Sequence, residues 1–194
     1  MTRAGWSCMV EPEILPVLRE RRSVRSYDER HVLATSELAS LLEAARWAPS
    51  AGNSQPWAFL VGRRDDAAHR SFVPLLAPSV RRWAPAASAL VFALHQVGTG
   101  PEADALTYSD YAAYDLGQAV AQLCVQAGAL GLSCHQFAAF DHDGMAELAG
   151  VPAHWSVTTG IAVGRGLLSE LAPRERRPLS SIACGGRFGA SLRL

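Results

Sequence analysis

The stretch Ala48–Trp57 reads APSAGNSQPW, a run of small and polar residues bracketed by prolines. Small residues let a backbone approach a flat ligand closely, and the amides of Asn53 and Gln55 offer both donors and acceptors to a heterocycle. Asn53 is the only asparagine of the chain. The alternative is an ordinary turn in which Asn53 bonds to its own backbone.

Hydrophobic spacing predicts the elements on both sides of this stretch. Before it, we expect a helix that Thr35 or Ser36 caps and Pro49 ends, with one apolar side formed by Leu38, Leu41, Leu42 and Ala45. After it, Tyr111–Leu130 is the strongest predicted helix, stopped by Gly131 and carrying an apolar stripe of Leu116, Val120, Leu123, Ala127 and Leu130. The other predicted helices are Glu13–Arg21, Ala67–Leu76 and His142–Ala149, and the predicted strands are Trp57–Val61, Ala89–His95, Ser133–Phe137 and Val157–Val163.

The length of 194 residues is that of one domain, with room for an arm. We expect a loose lead-in over residues 1–12, the folded domain over 13–164 and a C-terminal arm over 165–194. The arm is rich in Arg and Gly and has no pattern that would build a core. Within the domain, Val97–Ala105 is rich in Gly and Pro and is predicted to be a loop.

Composition excludes several classes of chemistry. All 18 Lys/Arg positions are arginine, and they balance 18 acidic residues. Without lysine, the chain cannot form a Schiff base with pyridoxal phosphate and cannot have the lysine of a P-loop. Its zero net charge argues against nucleic acid as a partner. Four well-separated cysteines and six histidines without metal-ligand spacing predict free thiols and no metal site. With neither a signal peptide nor an apolar run of membrane-spanning length, we expect a cytoplasmic protein without a membrane partner.

A basic segment, Arg21-Arg22-Ser23-Val24-Arg25, follows the first predicted helix. Three guanidinium groups and a hydroxyl within five residues can surround a phosphate with charge-assisted hydrogen bonds. Taken alone, the segment is more simply a solvated basic turn. Acidic residues close to it, among them Glu20 and Asp28, make a nucleic-acid patch less favourable still.

A third segment, Gly131–Asp141, reads GLSCHQFAAFD after the long helix. A strand end followed by two alanines can present bare backbone N–H groups to a ligand. His135 lies in this segment, although a lone histidine is more often a structural residue than a proton donor.

Together the segments resemble the nitroreductase family of oxidoreductases, which depend on flavin mononucleotide (FMN). The resemblance covers residues 14–178, and its most specific part is PSAGNSQPW joined to the upstream RRSVR. The segments YDLGQAVAQLCVQAGALGL, FAAFD and VTTGIAVG follow in the family's order. The resemblance implies an α+β fold with a mainly antiparallel central sheet flanked by helices. It also implies a homodimer that exchanges C-terminal arms and binds FMN between its subunits.

The resemblance also assigns cofactor contacts. The residues that match the clamp on the phosphate and ribityl chain are Arg21, Arg22, Ser23 and Arg25. Those that match the stretch against the isoalloxazine ring, usually from the partner subunit, are Pro49, Ser50, Ala51, Asn53 and Gln55. Ala138 and Ala139 stand where relatives direct backbone N–H groups toward flavin N5 and O4. Arg174 and Arg176 match the basic pair of the arm that completes the phosphate site, with Arg187 as the alternative.

Two positions depart from the family pattern. Many members carry a glutamate just before the small residue near N5, where this chain has Ala138. Many also have an asparagine and a lysine before the second strand, where this chain reads Val80–Trp83. Arg82 is therefore the candidate for the positive charge near flavin N1 and O2, which would stabilise the reduced anionic flavin.

By this resemblance the chain would pass hydride from NADH or NADPH through FMN to a small electron-poor acceptor, such as a nitroaromatic, quinone or activated alkene. No side chain is assigned as catalytic acid or base, and His135 and Tyr111 are the only candidates. One alternative is a flavin-dependent oxidase or dehydrogenase subunit acting on a peptide-derived substrate. The other is an FMN-binding subunit active only with a partner protein. The short Val97–Tyr114 segment indicates an acceptor slot that is open or completed by another protein.

Overall fold

Four strands form one antiparallel sheet in the order β1–β2–β4–β3. They are β1 (Trp57–Arg63), β2 (Ala89–Gln96), β3 (Ser133–Phe137) and β4 (Trp155–Gly164). The computed structural model describes residues 13–102, 105–167 and 174–192. Strands β1 and β3 form the two edges of the sheet, and the site described below lies along β3.

Strand β2 shows why the sheet is buried on both sides. Its first six residues, Ala89–Leu94, are all buried. Val91 and its odd-numbered neighbours pack in one core, whereas Phe92 and its even-numbered neighbours pack in the other. A strand that is covered on both faces is apolar throughout instead of alternating, which is what the sequence ALVFALH displays.

Helices cover both faces of this sheet. They are α1 (Pro16–Glu20), α2 (Thr35–Arg46), α3 (Ala67–Phe72), α4 (Pro78–Arg81), α5 (Ala112–Ala129) and α6 (His142–Leu148). Helices α2 and α5 pack together over one face, while α3, α4 and α6 supply buried side chains to the core on the other. Helix α1 lies against α5. The observed architecture confirms the predicted α+β class with a mainly antiparallel sheet.

The predicted cap of α2 is wrong. The helix begins at Thr35, and its N-cap is Ala34 instead of Thr35 or Ser36. Ala34 has no side-chain acceptor, but the carboxylate of Glu37 accepts a hydrogen bond from the Ala34 N–H at 2.7 Å. A glutamate at this position thereby satisfies a backbone donor at the helix start.

Helix α5 confirms most of its predicted stripe. The buried members are Leu116, Val120, Leu123 and Ala127. Leu130 is the exception, since 39% of it is exposed. It is the C-cap residue and lies beyond the last helical turn, where the periodicity no longer applies. Gly131 has a φ of 71° and ends the helix as predicted.

Other boundaries differ by a few residues. The predicted helix Ala67–Leu76 ends at Phe72 and continues as a 3₁₀ turn, Val73–Leu75, because Pro74 has no N–H to continue the α-helical ladder. Both β1 and β4 are longer than predicted, which extends the paired region to Arg63 and to Trp155.

The predicted lead-in over residues 1–12 lies outside the described residues, and so does part of the arm. In the described part of the arm, 174–192, one 3₁₀ turn forms at Leu179–Ser181, and most side chains are exposed. Between residues 13 and 192, leaving out 103–104 and 168–173, no helix is both long and apolar enough to cross a lipid bilayer.

Candidate functional site

A cavity of about 210 Å³ opens where β3 begins. Its lining includes Arg21, Arg22, Ser133 and Gly166. A Cβ atom on Gly166 would lie 2.5 Å from the Ser133 Oγ, so glycine keeps this contact free of a clash. Glu20 also lines the cavity, but its carboxylate makes no ion pair with any described residue.

Arginines from distant parts of the chain meet at this cavity. Arg174 of the arm donates hydrogen bonds to the backbone carbonyls of Arg19 and Arg21. Arg22 donates to three successive carbonyls, the nearest being that of Arg19 at 3.0 Å. Arg21 donates to the hydroxyl of Ser23 at 3.2 Å. The structure thus brings the predicted phosphate clamp and the first arginine of the predicted arm pair together.

None of these arginines forms an ion pair with a carboxylate of the described residues. Desolvation lowers the pKa of Arg174, and the charges of Arg22, Arg176 and Arg21 lower it further. Neither of the two ion pairs formed among the described residues involves these four side chains. We call Arg21, Arg22, Arg174 and Arg176 the arginine cluster; its field favours an anion that several guanidinium groups can share.

The remaining predicted basic residues, Arg25 and Arg187, make no hydrogen bond to these four among the described residues. Arg25 is exposed, and its charge acts on His135. Arg187 lies in the described part of the arm and is exposed. In the described parts of the chain no hydrogen bond joins Arg187 to the cluster, whereas Arg174 bonds directly to the Arg21 backbone.

At the other end of β3, three consecutive carbonyl groups are held in place. Thr159 Oγ1 donates to the Phe137 carbonyl, and His142 Nε2 faces the Ala138 carbonyl. The Ala77 N–H donates to the Ala139 carbonyl, and each of the three distances is 3.0 Å. Because C=O and N–H point in opposite directions across a trans peptide, the N–H groups of Ala138 and Ala139 are turned away from these donors. Both residues are exposed, and neither N–H has a hydrogen-bond partner among the described residues.

The arginine cluster and these two N–H groups therefore lie at opposite ends of one edge strand. An antiparallel strand rises about 3.4 Å per residue, so Ser133 and Ala138 are about 17 Å apart. A ligand that uses both ends must be elongated, anionic at one end and rich in acceptors at the other.

The loop Ser50–Gln55 is backbone-strained. Gly52, Asn53 and Gln55 have φ values of 59°, 56° and 51°, and the left-handed region is unfavourable for residues other than glycine. The side-chain amide of Asn53 has no hydrogen-bond partner among the described residues, and its backbone N–H donates to the Ser50 carbonyl at 2.9 Å. The turn is therefore closed by the backbone, which leaves the Asn53 amide available to a ligand.

Asp115 holds this loop and was not recognised as a site residue from the sequence. It lies on α5, is only 3% exposed, and accepts a hydrogen bond from the Ala51 N–H at 3.0 Å. The sequence did contain one sign of this role, because Asp115 is an acidic residue next to Leu116, on the apolar side of the helix that faces the core. Within the loop, the Ser50 hydroxyl accepts from the Gln55 N–H at 3.0 Å.

One chain does not bring this loop to the arginine cluster. The loop is tied to Asp115 near the start of α5, whereas Gly131, just after the helix, lines the cavity of the cluster. Sixteen residues at 1.5 Å each separate these points by about 24 Å. The loop and the cluster of the same chain therefore lie at opposite ends of α5.

Neither candidate acid or base is placed as a proton donor. His135 Nδ1 lies 2.7 Å from the Val24 carbonyl, and its ring packs against Trp83 at 4.4 Å. Burial lowers the pKa of His135. The hydrogen bond to Val24 raises this pKa, whereas the positive charges of Arg25 and Arg21 lower it further. Tyr111 is 62% exposed. Arg82 immediately precedes Trp83, is exposed and makes no hydrogen bond with a described residue.

The described cysteines, Cys124, Cys134 and Cys184, are free thiols; Cys8 lies outside the described residues. Among the described residues, no group of three or more His, Cys, Asp or Glu side chains is arranged to hold a metal ion.

The chain is similar to known proteins over most of its length. The family model for the nitroreductase family matches residues 18–165. An oxidoreductase whose crystal structure contains FMN is 30% identical and superposes with a TM-score of 0.84 over 94% of this chain and 96% of that one. A candidate nitroreductase from Desulfovibrio desulfuricans, solved in complex with FMN, is 28% identical with a TM-score of 0.70 over 91% and 99%. Protein DrgA of Synechocystis is 29% identical over 85% of this chain and 92% of its own length.

Proposed function

Because the chain belongs to the nitroreductase family, we propose that it is an FMN-dependent oxidoreductase with a ping-pong cycle. NADH or NADPH is the proposed donor, and a small nitroaromatic, quinone or activated alkene is the proposed acceptor. The observation that carries the proposal is the edge of β3, which has the arginine cluster at one end and two free N–H groups at the other. FMN has the same polarity, with a phosphate at one end and an acceptor-rich ring at the other.

The residues present fit this cofactor. We assign the phosphate and ribityl chain to Arg21, Arg22, Ser23, Arg25, Arg174 and Arg176. We assign flavin N5 and O4 to the N–H groups of Ala138 and Ala139. When bound, FMN supplies the redox chemistry by taking two electrons and a proton from the nicotinamide and passing them to the acceptor. The chain orients the donor and acceptor and needs no acidic side chain at position 138.

We further propose a homodimer in which each subunit completes the other's site. The Ser50–Gln55 loop lies about 24 Å along α5 from the arginine cluster of its own chain, by the helical rise, and the family resemblance assigns this loop to the flavin ring in the partner subunit's site. The residues contributed to that site are Pro49, Ser50, Ala51, Asn53 and Gln55. An arm exchanged between subunits remains a prediction of the family resemblance, and a cytoplasmic location remains a prediction from the sequence.

Arg82 is the proposed source of positive charge near flavin N1 and O2. It is exposed, makes no hydrogen bond with a described residue and directly precedes Trp83, whose ring packs on His135 of β3. A cation there stabilises negative charge on the reduced ring. Arg81, its neighbour, is by contrast used by the fold, since it donates to the Leu76 carbonyl at 2.8 Å.

One observation favours the second candidate function, an FMN-binding subunit completed by another protein. After β2, Gly98 and Thr107 form an isolated antiparallel bridge, and Leu106 beside it is 75% exposed. Tyr108 reaches the Ser54 carbonyl at 3.4 Å. The Val97–Tyr114 segment is too short to cover the acceptor slot, which would stay open.

Anaerobic stopped-flow spectroscopy tests the proposal. The FMN-loaded protein is mixed with NADH or with NADPH, and the loss of flavin absorbance is followed before an acceptor is added. The proposal predicts fast reduction by at least one nicotinamide and reoxidation by p-benzoquinone or a nitroaromatic. Slow reduction by both would contradict the reductase assignment and favour the subunit that needs a partner.

A further inference from the structure

Both ring nitrogens of His142 face backbone carbonyl groups. At the start of α6, Nδ1 lies 2.7 Å from the carbonyl oxygen of Val157, and Nε2 lies 3.0 Å from that of Ala138. A neutral imidazole has one N–H and can donate to only one of them, whereas a ring with a proton on each nitrogen donates to both. The ring also stacks on Phe140, with 3.8 Å between the ring centroids and 20° between the ring planes.

We propose that His142 is a positioning residue that fixes the direction of the Ala139 N–H toward the cofactor. The inference rests on the proposed function, because it assigns that N–H to flavin. The carbonyl of Ala138 and the N–H of Ala139 belong to the same planar trans peptide, so holding one sets the direction of the other. Because His142 belongs to α6, its bond to the Ala138 carbonyl ties this peptide to an element outside the loop.

The other contacts around this peptide do not replace the bond from His142. The Phe140 N–H also reaches the Ala138 carbonyl, at 3.1 Å, but it lies two residues along the same loop and moves with it. Ala77 holds the next peptide through the Ala139 carbonyl. Among the described residues, only His142 connects the Ala138–Ala139 peptide itself to another element.

The charges beside the ring come from α6 and its N-cap. Asp141 is the N-cap, and its carboxylate accepts from the Gly144 N–H at 2.9 Å, while Asp143 lies in the first turn. The contacts from β4 and from the loop after β3 are made by carbonyl groups. The groups that face the ring nitrogens are therefore the two carbonyls, and the acidic residues Asp141 and Asp143 flank His142 in sequence.

Two substitutions separate the two bonds. In His142→Asn, the side-chain nitrogen takes the place of Nδ1 and can keep the bond to Val157 while the bond to Ala138 is lost. In His142→Gln, the nitrogen takes the place of Nε2 and can keep the bond to Ala138. His142→Asn therefore tests positioning, and His142→Gln is its matched control.

The full chain is compared with both variants by NMR without cofactor and by FMN titration. We expect His142→Asn to shift the amide resonances of Ala138 and Ala139 and to weaken FMN binding about fivefold, the effect of one lost hydrogen bond. His142→Gln should stay close to the unmodified protein in both measurements. In the unmodified protein, long-range ¹H–¹⁵N spectra should show a proton on Nε2 of His142.

Equal behaviour of the two variants, or a ring without a proton on Nε2, would overturn the role of His142. So would FMN that binds His142→Asn as tightly as the unmodified protein with unshifted amides. If the unmodified protein takes up no FMN, the proposed function is wrong. If His142→Asn, but not His142→Gln, still shifts the two amide resonances in that case, the bond from His142 to Ala138 is nevertheless supported. The cofactor-free spectra therefore distinguish the two failures.

Discussion

Removing the Asp115 carboxylate should release the Ser50–Gln55 loop. Asp115→Ala leaves the Ala51 N–H without its buried partner, and a hydrogen bond to a charged group contributes about 1.5–3 kcal/mol. The positive φ angles of Asn53 and Gln55 each cost about 1–3 kcal/mol. Without the anchor, the loop therefore lowers its free energy by relaxing to ordinary backbone angles. For a chain of this size, the loss in unfolding free energy corresponds to a decrease in Tm of about 3–12 °C.

The assay is thermal unfolding of the FMN-free protein, followed by FMN titration. Asp115→Asn retains one acceptor oxygen without the charge, so its Tm should lie between those of the unmodified protein and Asp115→Ala. Asp110→Ala is the matched control, because Asp110 lies just before the same helix and is exposed. FMN affinity should fall in the order of the Tm values. If Asp115→Ala unfolds at the same temperature as Asp110→Ala and binds FMN equally well, the anchoring role of Asp115 is refuted.

Three further predictions follow from the loop, the arm and an exposed carboxylate. Asn53→Asp keeps a residue that tolerates a positive φ but puts a negative charge beside the flavin, so spectroelectrochemistry should show a lower midpoint potential; an unchanged potential with unchanged FMN affinity would assign Asn53 to the turn alone. Deleting residues 165–194 should cost both dimerisation and FMN binding, and light scattering that gives one subunit mass for the intact, FMN-loaded protein would contradict this. Hydrogen bonds from Arg46 and then Trp47 lower the pKa of Glu43 to about 2, so the Trp47 signal should persist below pH 4.5 and be lost as the pH falls toward 2. The small stability gained from this exposed contact should be complete above pH 4.5 and decrease as the pH falls from 4.5 to 2. A Trp47 midpoint near 4.5, or one that survives Glu43→Gln, would show that the contact is absent in solution.

The fold was predictable wherever a local pattern coincided with burial. The continuous apolar run of β2 indicated a strand covered on both faces, and the period of α5 identified Leu116 and Leu123 as core residues. Gly131 marked the end of that helix because its positive φ favours glycine. The cap of α2 was missed because the satisfying acceptor is a glutamate three residues into the helix, so the cap position itself carries no signal.

The contacts that organise the candidate site were beyond the reach of sequence patterns. Asp115 and Ala51 are 64 residues apart, and nothing in either segment identifies the other as a partner. The two carbonyl contacts of His142 depend on how β4 and the loop after β3 meet, which no local periodicity encodes. The resemblance could name the loop and the cluster as cofactor contacts, but only the helical rise along α5 shows that one chain holds them far apart.

The central claim, that the arginine cluster and the edge of β3 bind FMN, is tested most directly by identifying the cofactor and titrating it. Mass spectrometry of the material released from the purified protein should show FMN and no FAD. The double variant Arg21→Ala, Arg25→Ala should bind FMN at least about a hundredfold more weakly, since each charge-assisted hydrogen bond contributes about 1.5–3 kcal/mol. Arg30→Ala, which removes an exposed arginine that is not assigned to the cofactor, should bind normally. A colourless protein that takes up no added FMN would contradict the claim.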